Sequence, residues 1–134
     1  MQQQIAVITL SVADLARSKR FYVDGFGWSP VFGNEEIVFY QMNGLMLGPR
    51  RGHAEGRPEA AGGVQPRHNV RAQKDVAPMM DRLAGSGGRI LRQADAPPQG
   101  GFRGYVADPD DHSWEIAFNP AWRIDEQGLV TFGL

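Results

Sequence analysis

A short segment of this chain occurs twice. Residues 14–16 (Asp-Leu-Ala) recur 61 positions later as residues 75–77 (Asp-Val-Ala), and the same offset carries Gly27 onto Gly88 and Val7 onto His68. An internal repeat constrains the fold because each copy supplies one supersecondary unit, and neither unit can bury its apolar face alone. We therefore expect two modules related by a pseudo-twofold axis, with equivalent positions converging on one cavity.

The composition is that of an ordinary globular domain. The 134 residues suffice for one domain with its own core. The 14 Lys and Arg residues nearly balance the 15 Asp and Glu residues, so no charged surface is suited to nucleic acid or an anionic membrane. Because the chain lacks cysteine, a basic leader and an apolar run of about 20 residues, we expect a cytoplasmic protein without a membrane partner.

The first copy has the order strand, helix and three strands. Apolar alternation predicts a strand over 5–12, and Asp14 is placed to cap a helix that ends near Gly25 and Gly27. Short strands are predicted over 30–32, 37–41 and 44–47, with Asn43-Gly44 as the turn between the last two. The unit is βαβββ.

The second copy repeats this order after a connection. Residues 50–67 are rich in Gly, Pro, Ala and Arg and predict a linker between module one, 1–49, and module two, 68–118. Module two is predicted as a strand over 68–73, a helix over 75–83 and strands over 89–91, 102–107 and 113–118. Residues 119–134 have no counterpart and are predicted to form a C-terminal arm of a single domain, 1–134.

Several segments together carry a likeness to a known family: residues 9–18, 21–22, 26–28, 68–71, 105–110, 114–117 and 119–120. They resemble the vicinal oxygen chelate superfamily, which includes the glyoxalase, bleomycin-resistance and extradiol dioxygenase families, and most of all a glyoxalase-like branch of it. The resemblance implies an α+β fold of two tandem βαβββ modules whose curved mixed sheets form a small-molecule cavity. It also implies a homodimer.

In the metal-using relatives, a divalent ion is held by one residue from the first strand and one from the last strand of each module. Transferred by the resemblance, those positions are Val7, Leu47, His68 and Glu115. Val and Leu have no lone pair to donate, and two ligands would leave a divalent ion mostly in water. The sequence therefore predicts no complete metal site and no cofactor, with a weakly held divalent metal kept as an alternative.

His68 and Glu115 are then the candidate catalytic residues, expected to point into one cavity as an acid/base or ligand-anchoring pair. The alternative is a structural ion pair or hydrogen bond. Strict alternation places His68 and Val70 on one face of their strand and leaves polar residues on the face that should pack against the helices. A shift of one residue would turn His68 away from the cavity.

Other candidates are assigned by their place along the chain. His53 and His112 are predicted to be solvent-exposed loop residues without a role, and Asp108, Asp110 and Asp111 a tight turn rather than a calcium loop. The arginines of the connection, Arg50, Arg51, Arg57 and Arg67, are predicted to form a solvated face, with contact to an anionic ligand as the alternative. The predicted ligand-binding residues are Phe39, Leu47, Val7, Phe102 and Tyr105.

Two functions lead on the sequence, and a structural dimer with a filled cavity is a third possibility. The first is a glyoxalase-like protein that binds a small organic ligand without a complete metal site, in a sequestration role like that of the bleomycin-resistance proteins. The second is a lyase or isomerase in which Glu115 as base and His68 as acid act on a carbonyl compound. Whether the chain is an enzyme is left undecided at this stage.

Overall fold

The computed structural model describes residues 1–52 and 63–132. Its first half contains a four-stranded mixed sheet in the order β1-β4-β3-β2, in which β1 and β4 are parallel and the other neighbours antiparallel. The elements of this half are β1 (Val7–Val12), α1 (Leu15–Lys19) continued by a π-helix (Arg20–Gly25), β2 (Pro30–Gly33), β3 (Val38–Gln41) and β4 (Met46–Arg51).

The second half repeats this sheet in the order β5-β8-β7-β6, again with a parallel first pair. The fold is therefore α+β with two βαβββ modules, as predicted. The elements of this half are β5 (Arg67–Val70), a 3-10 helix (Gln73–Asp75), α2 (Val76–Gly85), β6 (Arg89–Asp95), β7 (Phe102–Ala107) and β8 (Ser113–Phe118).

The strand bounds differ from prediction at the connection. Strand β4 was expected over 44–47 but begins at Met46 and continues through Arg51, because parallel pairing with β1 reaches Val12. Strand β5 begins one residue earlier than expected and ends at Val70. The helix start was predicted correctly, since the Asp14 carboxylate accepts hydrogen bonds from the backbone N–H groups of Ala16 and Arg17.

One core joins the two modules on the helical side of both sheets. Tyr22 and Phe21 from the π-helix, Met80 and Leu83 from α2 and Ile116 from β8 are all almost fully buried in it. The Tyr22 hydroxyl donates to Asp108 at 2.7 Å and accepts from Trp114 Nε1 at 3.2 Å, so that a polar network crosses the boundary between the modules. We call this side of each sheet the core face and the other side the open face.

The two modules differ by one residue between the first strand and the helix. In module one, five positions separate the buried Leu10 from the start of α1 at Leu15; in module two, six separate Val70 from Val76. The 3-10 helix Gln73–Asp75 accommodates the additional residue. The sequence offset of 61 therefore holds for the helices, but the first strands superpose at an offset of 60.

The C-terminal arm forms a hairpin of two three-residue strands, β9 (Trp122–Ile124) and β10 (Val130–Phe132), which pair antiparallel. We refer to residues 122–132 as the C-terminal hairpin. Within the described ranges, no helix is long and apolar enough to cross a membrane.

Candidate functional site

The two module-one positions transferred from the metal-using families lie on opposite faces of their sheet. Val7 pairs with Met46 and Ile8 with Leu47, and residues paired across parallel strands point to the same face. Leu47 is buried in the core, so the expectation that it lines a ligand cavity is wrong. Val7 is on the open face, and the β4 residue beside it is Met46.

The same pattern in module two brings Arg67, and not His68, beside Glu115. Arg67 pairs with Glu115 and His68 pairs with Ile116. Arg67 Nε donates to Glu115 Oε2 at 2.6 Å, and the Glu115 residue is only 7% exposed. Arg67 was not predicted as a site residue, because it follows the arginine-rich connection whose charges were expected to be solvated. The sequence signal for Arg67 was the polar helix-side face of this strand, which indicated that the register could be shifted by one residue.

His68 faces the core side, where the rings of Phe26 and Trp28 lie 5.5 and 6.1 Å from its own. Burial lowers the pKa of the His68 imidazole, which is therefore neutral at pH 7. The structure thus does not bring His68 and Glu115 together, and the expected common cavity for the pair is wrong. The physical reason is the period of two along a strand, by which a shift of one residue reverses every side chain.

The open-face residues do not fit a divalent metal. Their side chains at the inherited positions are Val7, Met46, Arg67 and Glu115, which offer one thioether and one carboxylate. The carboxylate oxygen of Glu115 already accepts from a guanidinium, which occupies the place of a cation. Among residues 1–52 and 63–132, no group of three or more His, Asp or Glu side chains could hold a metal ion.

A cleft of about 710 Å³ borders this strand, and we call it the ligand cleft. It lies around β5, the start of α2, the β3-β4 turn and the C-terminal hairpin. Its lining residues are Trp28, Gln41, Met42, Asn43, Arg67, His68, Asn69, Val70, Arg71, Asp75, Pro78, Met79, Arg82, Ile124, Gly128 and Val130. The Oδ1 atom of Asn69 is buried with no hydrogen-bond partner among the described residues.

A smaller cavity of about 350 Å³ lies at one end of the module-two sheet, around the start of β7 and the end of β8. Phe102, Glu115, Arg103 and Arg67 line it, so the Arg67 side chain borders both cavities. Tyr105, the cross-strand partner of Glu115, packs under the Arg103 guanidinium at 5.6 Å from its ring centroid.

The remaining predicted residues lie elsewhere. Phe39 covers Gly48 on the open face of module one, where a Cβ on that glycine would lie 3.0 Å from the ring. The Nε2 atom of His112 lies 2.7 Å from the Ser11 carbonyl oxygen, so His112 is half-buried and bonded rather than solvent-exposed. His53 and Arg57 lie outside the described residues.

The acidic turn is a tight turn, as predicted. Asp108 is buried, and its Oδ1 accepts from the backbone N–H groups of Asp110 and His112. Burial raises the pKa of the Asp108 carboxyl, partly offset by its hydrogen bond from Tyr22. Asp111 adopts a positive φ of 68°, in the left-handed region that favours glycine.

The repeat, the paired sheets and the cavities agree with the comparison to known families. The chain matches the Glyoxalase/Bleomycin resistance protein/Dioxygenase superfamily over residues 4–116. The protein belongs to this superfamily. A comparison with curated proteins found no significant match.

Solved structures of the superfamily share the fold. A glyoxalase-related enzyme from Fulvimarina pelagi is 55% identical, with 99% of this chain and 100% of that chain covered and a TM-score of 0.93. Lactoylglutathione lyase from Agrobacterium tumefaciens is 21% identical, with 89% and 96% covered and a TM-score of 0.69. A fosfomycin resistance protein from Mesorhizobium loti is 18% identical, with 89% and 93% covered and a TM-score of 0.66. The last two similarities show the fold alone.

Proposed function

We propose that this glyoxalase-superfamily protein binds a small organic molecule in the ligand cleft without a metal ion. The observation that carries the proposal is the Arg67 to Glu115 ion pair, which occupies the one inherited metal-ligand carboxylate of the open face. A ligand is then recognised by side chains directly, and the cleft beside Arg67 has a volume typical of small-molecule sites.

The apolar part of the cleft is suited to a flat group. The Trp28 ring stacks on Phe26 with centroids 4.1 Å apart and an 11° angle between planes, and this half-buried indole lines the cleft. Met42 and Met79 add flexible thioether side chains to the same wall. These residues favour a planar or apolar ligand body.

The polar part of the cleft is suited to hydrogen bonding at one end. His68 lines the cleft, is neutral and offers one donor and one acceptor. Beside Arg67, whose charge is balanced by Glu115, the lining contains Arg71 and Arg82 and a single carboxylate, Asp75. This excess of positive charge favours a ligand that carries an anionic or strongly accepting group.

The methionines provide a direct test. The chain has five, of which Met42 and Met79 line the cleft and Met46 lies on the open face. We expect a ligand found by screening small aromatic carboxylates and related molecules to shift the methyl NMR signals of Met42 and Met79, with or without EDTA, and to leave Met46 unmoved. Shifts confined to Met46, or binding that EDTA abolishes, would contradict the proposal.

An enzymatic role is the second candidate, because the 55% identical relative is described as a glyoxalase-related enzyme. In this alternative the protein is a lyase or isomerase acting on a carbonyl compound. Of the pair singled out from the sequence, only His68 lines the ligand cleft, where a neutral imidazole can act as a general base. Glu115 would hold Arg67 in position.

Turnover distinguishes the two candidates. We expect no turnover of carbonyl substrates if the protein only binds its ligand. If turnover is found, His68→Gln should lower kcat by about 100-fold or more. Glu115→Gln would instead affect turnover mainly by weakening the ion pair that holds Arg67 in position. Equal loss in both variants with an unchanged KM would contradict this assignment of the general base to His68 alone.

We also propose a homodimer, in which the open faces are covered by a second copy. The exposed apolar side chains of Val7 and Phe32 support this assembly, since sheet edges and apolar faces are commonly covered by association. Sedimentation equilibrium tests it: a monomer at micromolar concentration would overturn this proposal and leave the ligand cleft unaffected.

A further inference from the structure

We infer that the C-terminal hairpin is a separable wall of the ligand cleft, and that Arg71 and Asn43 are the positioning residues that hold it closed. Ile124, Gly128 and Val130 of the hairpin line the cleft. All three lie beyond residue 116, where the superfamily match ends. The inference rests on the proposed function, because a wall of the cleft matters only if the cleft binds a ligand. The contacts that support it are all made within this chain.

The hairpin is attached to both modules by polar contacts. From module two, the Arg71 guanidinium donates to the carbonyl oxygens of Ile124 at 3.2 Å and Asp125 at 2.7 Å. From module one, Asn43 Nδ2 donates to the Gln127 carbonyl oxygen at 3.2 Å. The hairpin therefore bridges the two modules at the mouth of the cleft.

The apolar packing of the hairpin is small. All three residues of β10 are exposed, and Phe132 retains 81% of its accessible surface. Trp122 contacts Phe132 within the hairpin and lies 5.9 Å from the Arg67 guanidinium. A two-stranded hairpin of this size is marginal alone, so the Arg71 and Asn43 contacts make a large share of its attachment.

The loop at the tip of the hairpin is arranged to receive these contacts. The Asp125 carboxylate accepts from the backbone N–H groups of Gln127 and Leu129 and fixes the loop. Gly128 has a φ of +85°, and a Cβ there would lie 3.2 Å from Asn43 Nδ2. A rigid loop on a weakly packed hairpin can move as a unit, and its displacement would open the cleft that Trp28 also lines.

Tryptophan quenching tests the inference without a ligand. The chain has three tryptophans; in a Trp122→Phe background only the cleft residue Trp28 and the buried Trp114 remain. In this background we expect Arg71→Met to raise the acrylamide quenching constant about two-fold, since it frees the hairpin locally. Asn43→Ala should raise it by less. The matched control is Arg123→Met, an exposed arginine of the hairpin itself, which should leave the constant unchanged.

Hydrogen exchange gives the second measurement. Arg71→Met and Asn43→Ala should accelerate exchange over residues 124–130 and leave β7 and β8 protected. Faster exchange in the hairpin without increased quenching would overturn the inference, because the hairpin would then not cover Trp28. Unchanged exchange in both variants would overturn it as well, because the contacts would then not hold the hairpin. If Arg71→Met unfolds the whole domain, Asn43→Ala decides between the same outcomes.

The two proposals fail separately. If no ligand binds but the quenching and exchange results are as expected, the hairpin inference stands and the proposed function fails. If a ligand shifts the Met42 and Met79 signals but neither variant changes access to Trp28, the proposed function stands and the hairpin inference fails.

Discussion

Arg67 and Glu115 lie opposite one another at the start of the parallel pair β5 and β8, joined by a 2.6 Å hydrogen bond from Nε to Oε2. Glu115 was expected, from the family resemblance alone, at a metal-ligand position. Here it is almost buried and its charge is balanced by a guanidinium. The ion pair lies between the ligand cleft and the smaller cavity, because Arg67 lines both of them.

Removing Arg67 should destabilise the domain. Arg67→Met leaves the buried Glu115 without its cation, and because the arginine is 40% exposed we expect a loss of about 1–3 kcal/mol in the free energy of unfolding. Urea denaturation measures it, and adding Glu115→Gln should recover part of the loss. Arg89→Met, which breaks an exposed pair with Asp111, is the control and should change stability by less than about 0.5 kcal/mol. Equal effects of the two arginine variants would show that burial of Glu115 is unimportant.

Two buried tyrosines should respond differently to loss of the hydroxyl group. Tyr22→Phe leaves Asp108 and Trp114 Nε1 without their shared partner, so we expect a loss of about 1–3 kcal/mol in unfolding free energy. The Tyr40 hydroxyl is buried without a hydrogen-bond partner among the described residues, and Tyr40→Phe should be neutral or stabilising. Chemical denaturation of both variants measures the contrast. A Tyr40→Phe loss as large as that of Tyr22→Phe would refute it.

His68 should make stability depend on pH below neutrality. Burial holds the pKa of the folded-state imidazole below its ordinary 6.5, so just below pH 6.5 the unfolded chain binds a proton that the folded chain does not. The stability from this group is present above pH 6.5 and is lost as the pH falls from there to the folded-state pKa. The unfolding free energy of the wild type minus that of His68→Leu should therefore decrease as the pH falls from 7.5 to 5.5. Urea titrations at each pH measure this difference. A constant difference would show that His68 does not titrate in this way.

Glycine at position 111 should stabilise the turn between β7 and β8. Asp111 has a φ of +68°, which costs an L-residue free energy that glycine does not pay. The variant loses only the exposed ion pair with Arg89, so Asp111→Gly should gain about 0.5–1 kcal/mol. Asp111→Ala, which loses the same ion pair but keeps a Cβ, is the matched control and should gain nothing. Calorimetric melting compares the two.

The sequence predicted the elements well where local chemistry decides them. The Asp14 cap, the Asn43-Gly44 turn and strands β7 and β8 could be predicted because alternation, capping and turn residues act over a few positions. The C-terminal hairpin could be predicted only as an arm. Its strands are three residues long, and contacts with Arg71 and Asn43 that are distant along the chain help to hold it.

By itself, the sequence determined the repeat, the α+β fold and the superfamily. It could not determine which face His68 occupies, because the offset that aligns the helices differs by one from the offset that aligns the first strands. The tertiary structure decided this. Val70 and Ile116 are buried in the shared core, so His68 lies on the core face with them, and Arg67 lies beside Glu115 on the open face. The reason is that side chains alternate along a strand while a 3-10 helix can accommodate one extra residue, so burial of the apolar face fixes the register.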